Sequence, residues 1–161
     1  AHALEEIPEV NSSYIDDKIR VNSHINIGIA TATPDGLIVP VIMDADKKAV
    51  AEIAREARDK AERARKRKLR PDEYSNATFT VSNLGMFGID HFTAIIDPGQ
   101  SAILAVGALA QEAVVLDGQV KPKNIMRVTL SCDHRVIDGY TGAQFLIKLR
   151  EILEKPEMLA R

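Results

Sequence analysis

An α/β fold with a largely β core is what this chain predicts. Three observations carry that reading: short runs of strand formers closed by Pro, Gly and Asp, two long amphipathic helical patterns, and a strand-to-helix seam at 131–139. From Val21 to Thr33 the side chains alternate, with Ile25, Ile27 and Ile29 on one side; Pro34-Asp35-Gly36 turns the chain, and Leu37 to Met43 returns it. The pair predicts a hairpin. Pro40 places its second strand at an edge or on a bulge, because proline lacks a ladder donor. From Asp46 to about Lys68 the positions Val50, Ile53, Ala54, Ala57, Ala61 and Ala64 share one helical face, and the lysines and arginines are read as a solvated face. Leu69-Arg70-Pro71 ends that helix. Buried strands are predicted at Thr78 to Ser82 and Ala102 to Val106, and Val114 to Leu116 with Gln119 to Lys121 flank Asp117-Gly118 as a tight hairpin. Met126 to Cys132 reads as a strand. Tyr140 to Leu153 reads as a helix with Phe145, Leu149 and Ile152 at helical spacing.

Chemistry concentrates at the seam. Met126, Val128, Leu130, Cys132 and His134 fall on one side of the strand pattern. An imidazole at the end of an apolar row is expected to be partly desolvated, hence neutral near physiological pH and able to take a proton. The plainer alternative is a core histidine satisfied by one hydrogen bond. Asp138, four residues later, is either the cap of the following helix or the partner of a cation that fixes the loop. In an earlier strand Thr78, Thr80 and Ser82 line one side and Phe79 and Val81 the other. That is an ordinary polar sheet face, or a place where a hydroxyl meets a developing negative charge. Cys132 beside His134 raises a Cys–His nucleophile, against which stands its place in the apolar row. Gly85-Met86-Phe87-Gly88 has the GxxG form of an RNA-clamping loop, but Leu84 and Ile89 flank it rather than cations.

Composition narrows the classes. The chain has 161 residues, 45% hydrophobic and 27% charged, which suits one domain with a sizeable core. A net charge of -2 gives no reason to expect nucleic acid or an acidic membrane surface. A single cysteine cannot form an internal disulfide and points to a reducing compartment. No run approaches the roughly 20 apolar residues that span a bilayer. His2, His24 and His91 lack metal-ligand spacing with one another or with Cys132, and no GxGxxG occurs, so neither a metal nor a dinucleotide is expected.

His134, Asp138 and Gly139 reproduce the HxxxDG motif of the acyltransferases related to chloramphenicol acetyltransferase, and the run from Ser131 to Gly139 resembles the catalytic (E2) domain of 2-oxo acid dehydrogenase complexes. The stretches 27–30, 33–42, 77–89, 93–98 and 100–107 extend the resemblance over nearly the whole chain. The form Ser82-Asn83-Leu84-Gly85-Met86-Phe87-Gly88 is most similar to the acetyl-transferring branch of the pyruvate complex, and less so to the branched-chain or 2-oxoglutarate branches.

The resemblance implies a chloramphenicol-acetyltransferase-like sandwich with a mixed β-sheet core and flanking helices. It implies acetyl transfer between coenzyme A and the dihydrolipoamide of a lipoyl domain, with no acyl-enzyme and no metal. His134 would be the general base, its other ring nitrogen bonded to its own carbonyl. Ser82 would stabilise the oxyanion, Asp138 would secure the loop, and Asn83, Gly85 and Gly139 would shape the substrate site. His134 and Ser82 would come from different subunits of a homotrimer, itself the unit of a cubic or dodecahedral core that works with E1 and E3 components in a bacterial cytoplasm or the mitochondrial matrix. Residues 1–161 correspond to that domain short of its N-terminal part, with Ala1 to Ile7 entering in mid-helix and no lipoyl or peripheral-subunit-binding domain. The arginine that pairs with the motif carboxylate in the family belongs to the part that is absent. Alternatives are a non-catalytic structural core of such a complex, a branched-chain or succinyl acyltransferase, and a free-standing antibiotic acetyltransferase.

Overall fold

A computed structural model describes residues 1–159. Helix α1 (His2–Glu6) leads into the hairpin β1 (Ser12–Ile15) and β2 (Lys18–Val21), followed by β3 (Ile27–Ile29), β4 (Thr31–Thr33), β5 (Gly36–Ile38) and β6 (Val41–Ile42). Helix α2 (Val50–Arg65), strand β7 (Phe79–Asn83), the long pair β8 (Ala102–Leu116) and β9 (Gln119–Cys132), and helix α3 (Gly139–Glu154) complete the order. Five strands form a mixed sheet in the order β6-β3-β7-β8-β9. Its three middle strands are parallel and its two outer pairings antiparallel.

The alternation of β7 decides the two faces. Phe79 and Val81 join Ile27, Leu104, Val128 and Leu130 on the side that packs against Leu4 of α1 and Phe145 and Ile152 of α3. The Phe79 and Phe145 rings meet tilted, with centroids 5.6 Å apart, a favoured aromatic geometry. Register places Gly28, Thr80, Ser82, Ile103, Ala105, Thr129 and Ser131 on the opposite face.

The predicted first hairpin is present but interrupted. Ile27 pairs with Ile42 and Gly28 with Val41, then Thr31 with Ile38 through Thr33 with Gly36, in one continuous register. The gap falls at Pro40, whose carbonyl accepts from the Ile29 amide at 2.8 Å. As proline predicts, β6 is the sheet edge. Residues 22–26 are not strand, although the alternation runs through them. The buried Asn26 amide donates to the Asn76 carbonyl at 3.0 Å and its oxygen accepts from the Asp44 amide at 2.9 Å, so tertiary bonds override the local pattern. The β1–β2 hairpin was not foreseen. Its turn, Asp16-Asp17, has φ of 49° and 56° without the Asn-Gly or Asp-Gly signal of such turns.

Helix α2 is shorter than the pattern suggested, beginning at Val50 after a turn at Ala45–Lys47 and ending before the left-handed Arg67. Val50 is exposed, and Lys60 takes a place on the buried face instead. Its ammonium donates to the Val41 carbonyl and lies 2.8 Å from Glu56, so this lysine is not part of a solvated face. The stem covers apolar surface while the charge finds partners.

The strands foreseen as separate pieces at 102–132 are two continuous ones. Only Ile103 to Val106 pair with β7; beyond a bulge between Val106 and Leu109, β8 and β9 pair with each other as an arm out to Asp117-Gly118. The arm's middle is exposed on both faces, so period-two alternation is weak there, and Pro122 is tolerated opposite Ala113. At the bulge a Cβ on Gly107 would stand 1.8 Å from the Asp90 carbonyl oxygen, and one on Gly85 2.6 Å from the Gly107 oxygen. The loop after β7 is stapled there: Leu84 donates to Val106 at 3.1 Å and Ala108 to Ile89 at 2.8 Å.

Glu73 is buried after α2 and accepts both guanidinium arms of Arg63, at 2.7 and 2.6 Å, plus the Arg70 amide at 3.0 Å. These bonds hold its carboxyl at about 2, below the usual carboxylate range. A depressed carboxyl contributes stability above its unfolded value and loses it as pH falls toward the folded one. Chemical denaturation should therefore find Glu73→Gln less stable than wild type by about 2 kcal/mol at neutral pH, with the gap closing between about pH 4.5 and 2. A gap independent of pH would contradict the ion pair. The same measurement on Gly107→Ala should show a loss of about 3 kcal/mol; an unchanged midpoint would contradict the backbone contact at the bulge.

Candidate active site

Strand β9 ends at Cys132, and His134 to Val136 form a turn that hands the chain to α3. The Asp133 amide donates to the Ser101 carbonyl at 2.8 Å, while its own carbonyl accepts from Val136 and Ile137, both at 2.9 Å. Ile137, 1% exposed, pins the far side of the turn in the core. His134 therefore stands off the ladder and is exposed. Neither the expected desolvated mouth of the apolar row nor a satisfied core histidine describes it, because the alternation stops two residues earlier.

Asp138 is the cap of α3: its Oδ1 accepts from the Thr141 amide at 2.8 Å. That backbone bond, more than the nearby His134, holds its carboxyl below the usual range. No cation pairs with it among the described residues. Cys132 is half-buried, and burial pushes its thiol up, opposite to what a nucleophilic thiolate needs. Gly139 opens α3 with free space around its α-carbon.

Ser82 lies half-buried on the face turned away from the core, in a cleft of about 450 Å³ walled by Leu37, Val39, Phe92 and Ile95. Neighbouring hydroxyls on that face are committed, Thr80 to Gln100 Oε1 at 2.8 Å and Ser131 to the Ala94 carbonyl at 2.7 Å. The Asn83 side chain accepts from the Gly85 amide at 2.8 Å, which shapes the turn after Ser82. Gly85 serves a packing need that the sequence reading did not foresee, since a side chain there would strike the Gly107 backbone. The 92–98 segment over the cleft was also passed over as a site element. The family resemblance at 93–98 assigns it no chemical role, and its place beside the site shows only when the sheet brings it over Ser82.

Within one chain the two chemical groups do not meet. Ser82 pairs with Ala105 and Ala105 with Thr129, so Ser82 is two strands, roughly 10 Å, from β9. From Thr129 the chain runs roughly another 10 Å to Cys132 before the turn that carries His134. Among the described residues no group of His, Cys, Asp and Glu is arranged to hold a metal, and no helix is long and apolar enough to cross a membrane.

Over residues 1–161 the chain matches the family 2-oxoacid dehydrogenases acyltransferase (catalytic domain). A mitochondrial dihydrolipoyllysine-residue acetyltransferase component of pyruvate dehydrogenase complex from Caenorhabditis elegans is 48% identical over 161 residues, 99% of this chain and 32% of that protein. A structure of dihydrolipoamide acetyltransferase from Azotobacter vinelandii, solved to investigate a serine, a histidine and an asparagine in its catalytic mechanism, superposes with a TM-score of 0.92 at 38% identity, covering 98% of this chain and 66% of that one. The cubic core of the pyruvate dehydrogenase multienzyme complex gives the same TM-score at 37% identity and the same coverage. Chloramphenicol acetyltransferase, at 18% identity and a TM-score of 0.57 over 94% of this chain, shares the fold. The chain thus spans about a third of the length of the nematode relative and just under two thirds of the solved cores. With its mixed sheet, its exposed motif histidine and its cleft serine, it belongs to the acyltransferase catalytic domains of the 2-oxoacid dehydrogenases.

Proposed function

We propose that this chain is the catalytic core of a dihydrolipoyllysine-residue acetyltransferase, moving an acetyl group between dihydrolipoamide and coenzyme A. The observation that carries the reading is spacing. The serine, histidine and asparagine named for the Azotobacter enzyme are 52 and 4 residues apart, as are Ser82, His134 and Asp138 here. The third position departs, with aspartate in place of asparagine, and both side chains keep the oxygen that caps α3.

In the direction that forms acetyl-coenzyme A, a free thiol near 8.5 has little thiolate at neutral pH. The neutral imidazole of His134 takes the proton of the coenzyme A thiol, and the sulfur attacks the carbonyl of acetyl-dihydrolipoamide. Charge then develops on the carbonyl oxygen, where the Ser82 hydroxyl donates; a fixed donor at that place is worth about 3 to 4 kcal/mol. Collapse breaks the bond to the lipoyl sulfur, and the imidazolium returns the proton to it. Asn83 and Gly85 hold the loop beside Ser82, and Gly139 leaves room beside His134. Their separation within one chain supports a site shared between copies in a homotrimer, with the trimer as the unit of a larger core like the cubic one. That core would receive lipoyl domains and hold E1 and E3 components, in a bacterial cytoplasm or the mitochondrial matrix.

In the assembled full-length protein, His134→Ala should lower kcat for acetyl transfer to dihydrolipoamide by about 100-fold or more, and Ser82→Ala by about 100-fold, with KM little changed. Full activity in His134→Ala would refute the base assignment. A wild-type core that assembles but transfers nothing would favour the structural reading, and preference for chloramphenicol as acceptor the antibiotic one. Asp138→Asn should keep activity within a few-fold while Asp138→Ala loses about 1 kcal/mol of stability through its cap. Equal damage from both would show that the charge is needed.

A further inference from the structure

We propose that Tyr14 and Arg135 form a strut that fixes the turn carrying His134, and that both act as positioning residues for the acyl transfer. An exposed arginine after the motif histidine would ordinarily be a solvated side chain. Here its guanidinium carbon lies 4.2 Å from the centroid of the Tyr14 ring, over its face. The same guanidinium grips Asp133 in a fork, Nε at 3.0 Å from Oδ1 and Nη2 at 2.7 Å from Oδ2. Oδ1 also accepts from the Arg135 amide at 3.0 Å. His134 therefore sits between two residues whose side chains are tied to each other and, through the ring, to a distant element.

That element is well anchored. Tyr14 pairs with Ile19 in the β1–β2 ladder, Ser12 and Ser13 before it are buried, and its hydroxyl donates to Asp17 at 3.2 Å, inside the left-handed turn. The turn at 133–137 lacks such support on its solvent side. Its backbone bonds are made by Asp133, Val136 and Ile137, on either side of His134, and Arg135 is 64% exposed. A cation held over an aromatic face restrains the guanidinium, the guanidinium restrains Asp133, and the imidazole between them keeps one direction. Orientation of this kind matters disproportionately, since misplacing a reacting group by about 1 Å costs on the order of 100-fold in rate.

The inference rests on His134 being the base, and its test separates the two. In the assembled full-length enzyme, Tyr14→Leu should lower kcat about five-fold while KM for coenzyme A and dihydrolipoamide stays within about two-fold. Tyr14→Phe and Tyr14→Trp, which keep the ring face, should retain kcat, and Arg135→Met should lose at least as much as Tyr14→Leu. Added to His134→Ala, Tyr14→Leu should cause no further loss, because it acts through the imidazole. The strut is wrong if Tyr14→Leu leaves kcat unchanged, if Tyr14→Phe falls as far as Tyr14→Leu, or if Tyr14→Leu lowers the residual rate of His134→Ala by the same factor. A His134→Ala enzyme with full activity would instead overturn the base assignment and the strut with it.

Discussion

Strand direction in the central sheet constrains everything else. Because β7 runs parallel to β8 while β9 runs back against it, the C-terminal end of β7 and the C-terminal end of β9 lie at opposite ends of the same sheet. Ser82 sits at the first and the His134 turn follows the second. No side-chain movement closes a gap set by backbone ladders, since every bond of the register would have to break. Any chemistry that needs both groups must draw one of them from another molecule.

The same sheet explains why each group is presented as it is. Period-two alternation sends Phe79 and Val81 into the core against α1 and α3, and thereby turns Thr80 and Ser82 toward the cleft under the 92–98 segment. At the other end, Ser101 and Ile137 clamp a turn too short to bury its own side chains, so His134 projects while its backbone neighbours are held. Rigidity comes from the scaffold, and exposure comes from the turn. The proton transfer proposed for His134 would need both.

Much of this was legible from local pattern, and the rest depended on distance in sequence. The strand at Thr78 to Ser82, the helix from Tyr140 and the cap at Asp138 follow from alternation, helical spacing and side-chain chemistry, and the structure has them within a residue or two. The pairing of Ile27 with Ile42 through Thr33 with Gly36 was visible in the Pro34-Asp35-Gly36 turn, and Pro40 marked the edge or bulge at which the ladder is interrupted. The arm escaped because its middle buries neither face. Lys60 escaped because a lysine on a charged helix looks solvated until Val41 supplies a carbonyl. Placing His134 on the apolar row assumed that the strand outlasts Cys132, and the contact of Arg135 with Tyr14 joins residues more than a hundred positions apart.

The claim that the site is assembled from two copies is open to one direct measurement. Chains carrying only Ser82→Ala and chains carrying only His134→Ala, each almost inactive alone, are unfolded together, refolded as mixed assemblies and assayed for acetyl transfer. A shared site restores activity wherever an intact histidine faces an intact serine, about a quarter of wild type for random mixing in a symmetric ring. A mixture no more active than its parents, despite verified co-assembly, would mean that each chain must supply both groups itself, and the account would fail.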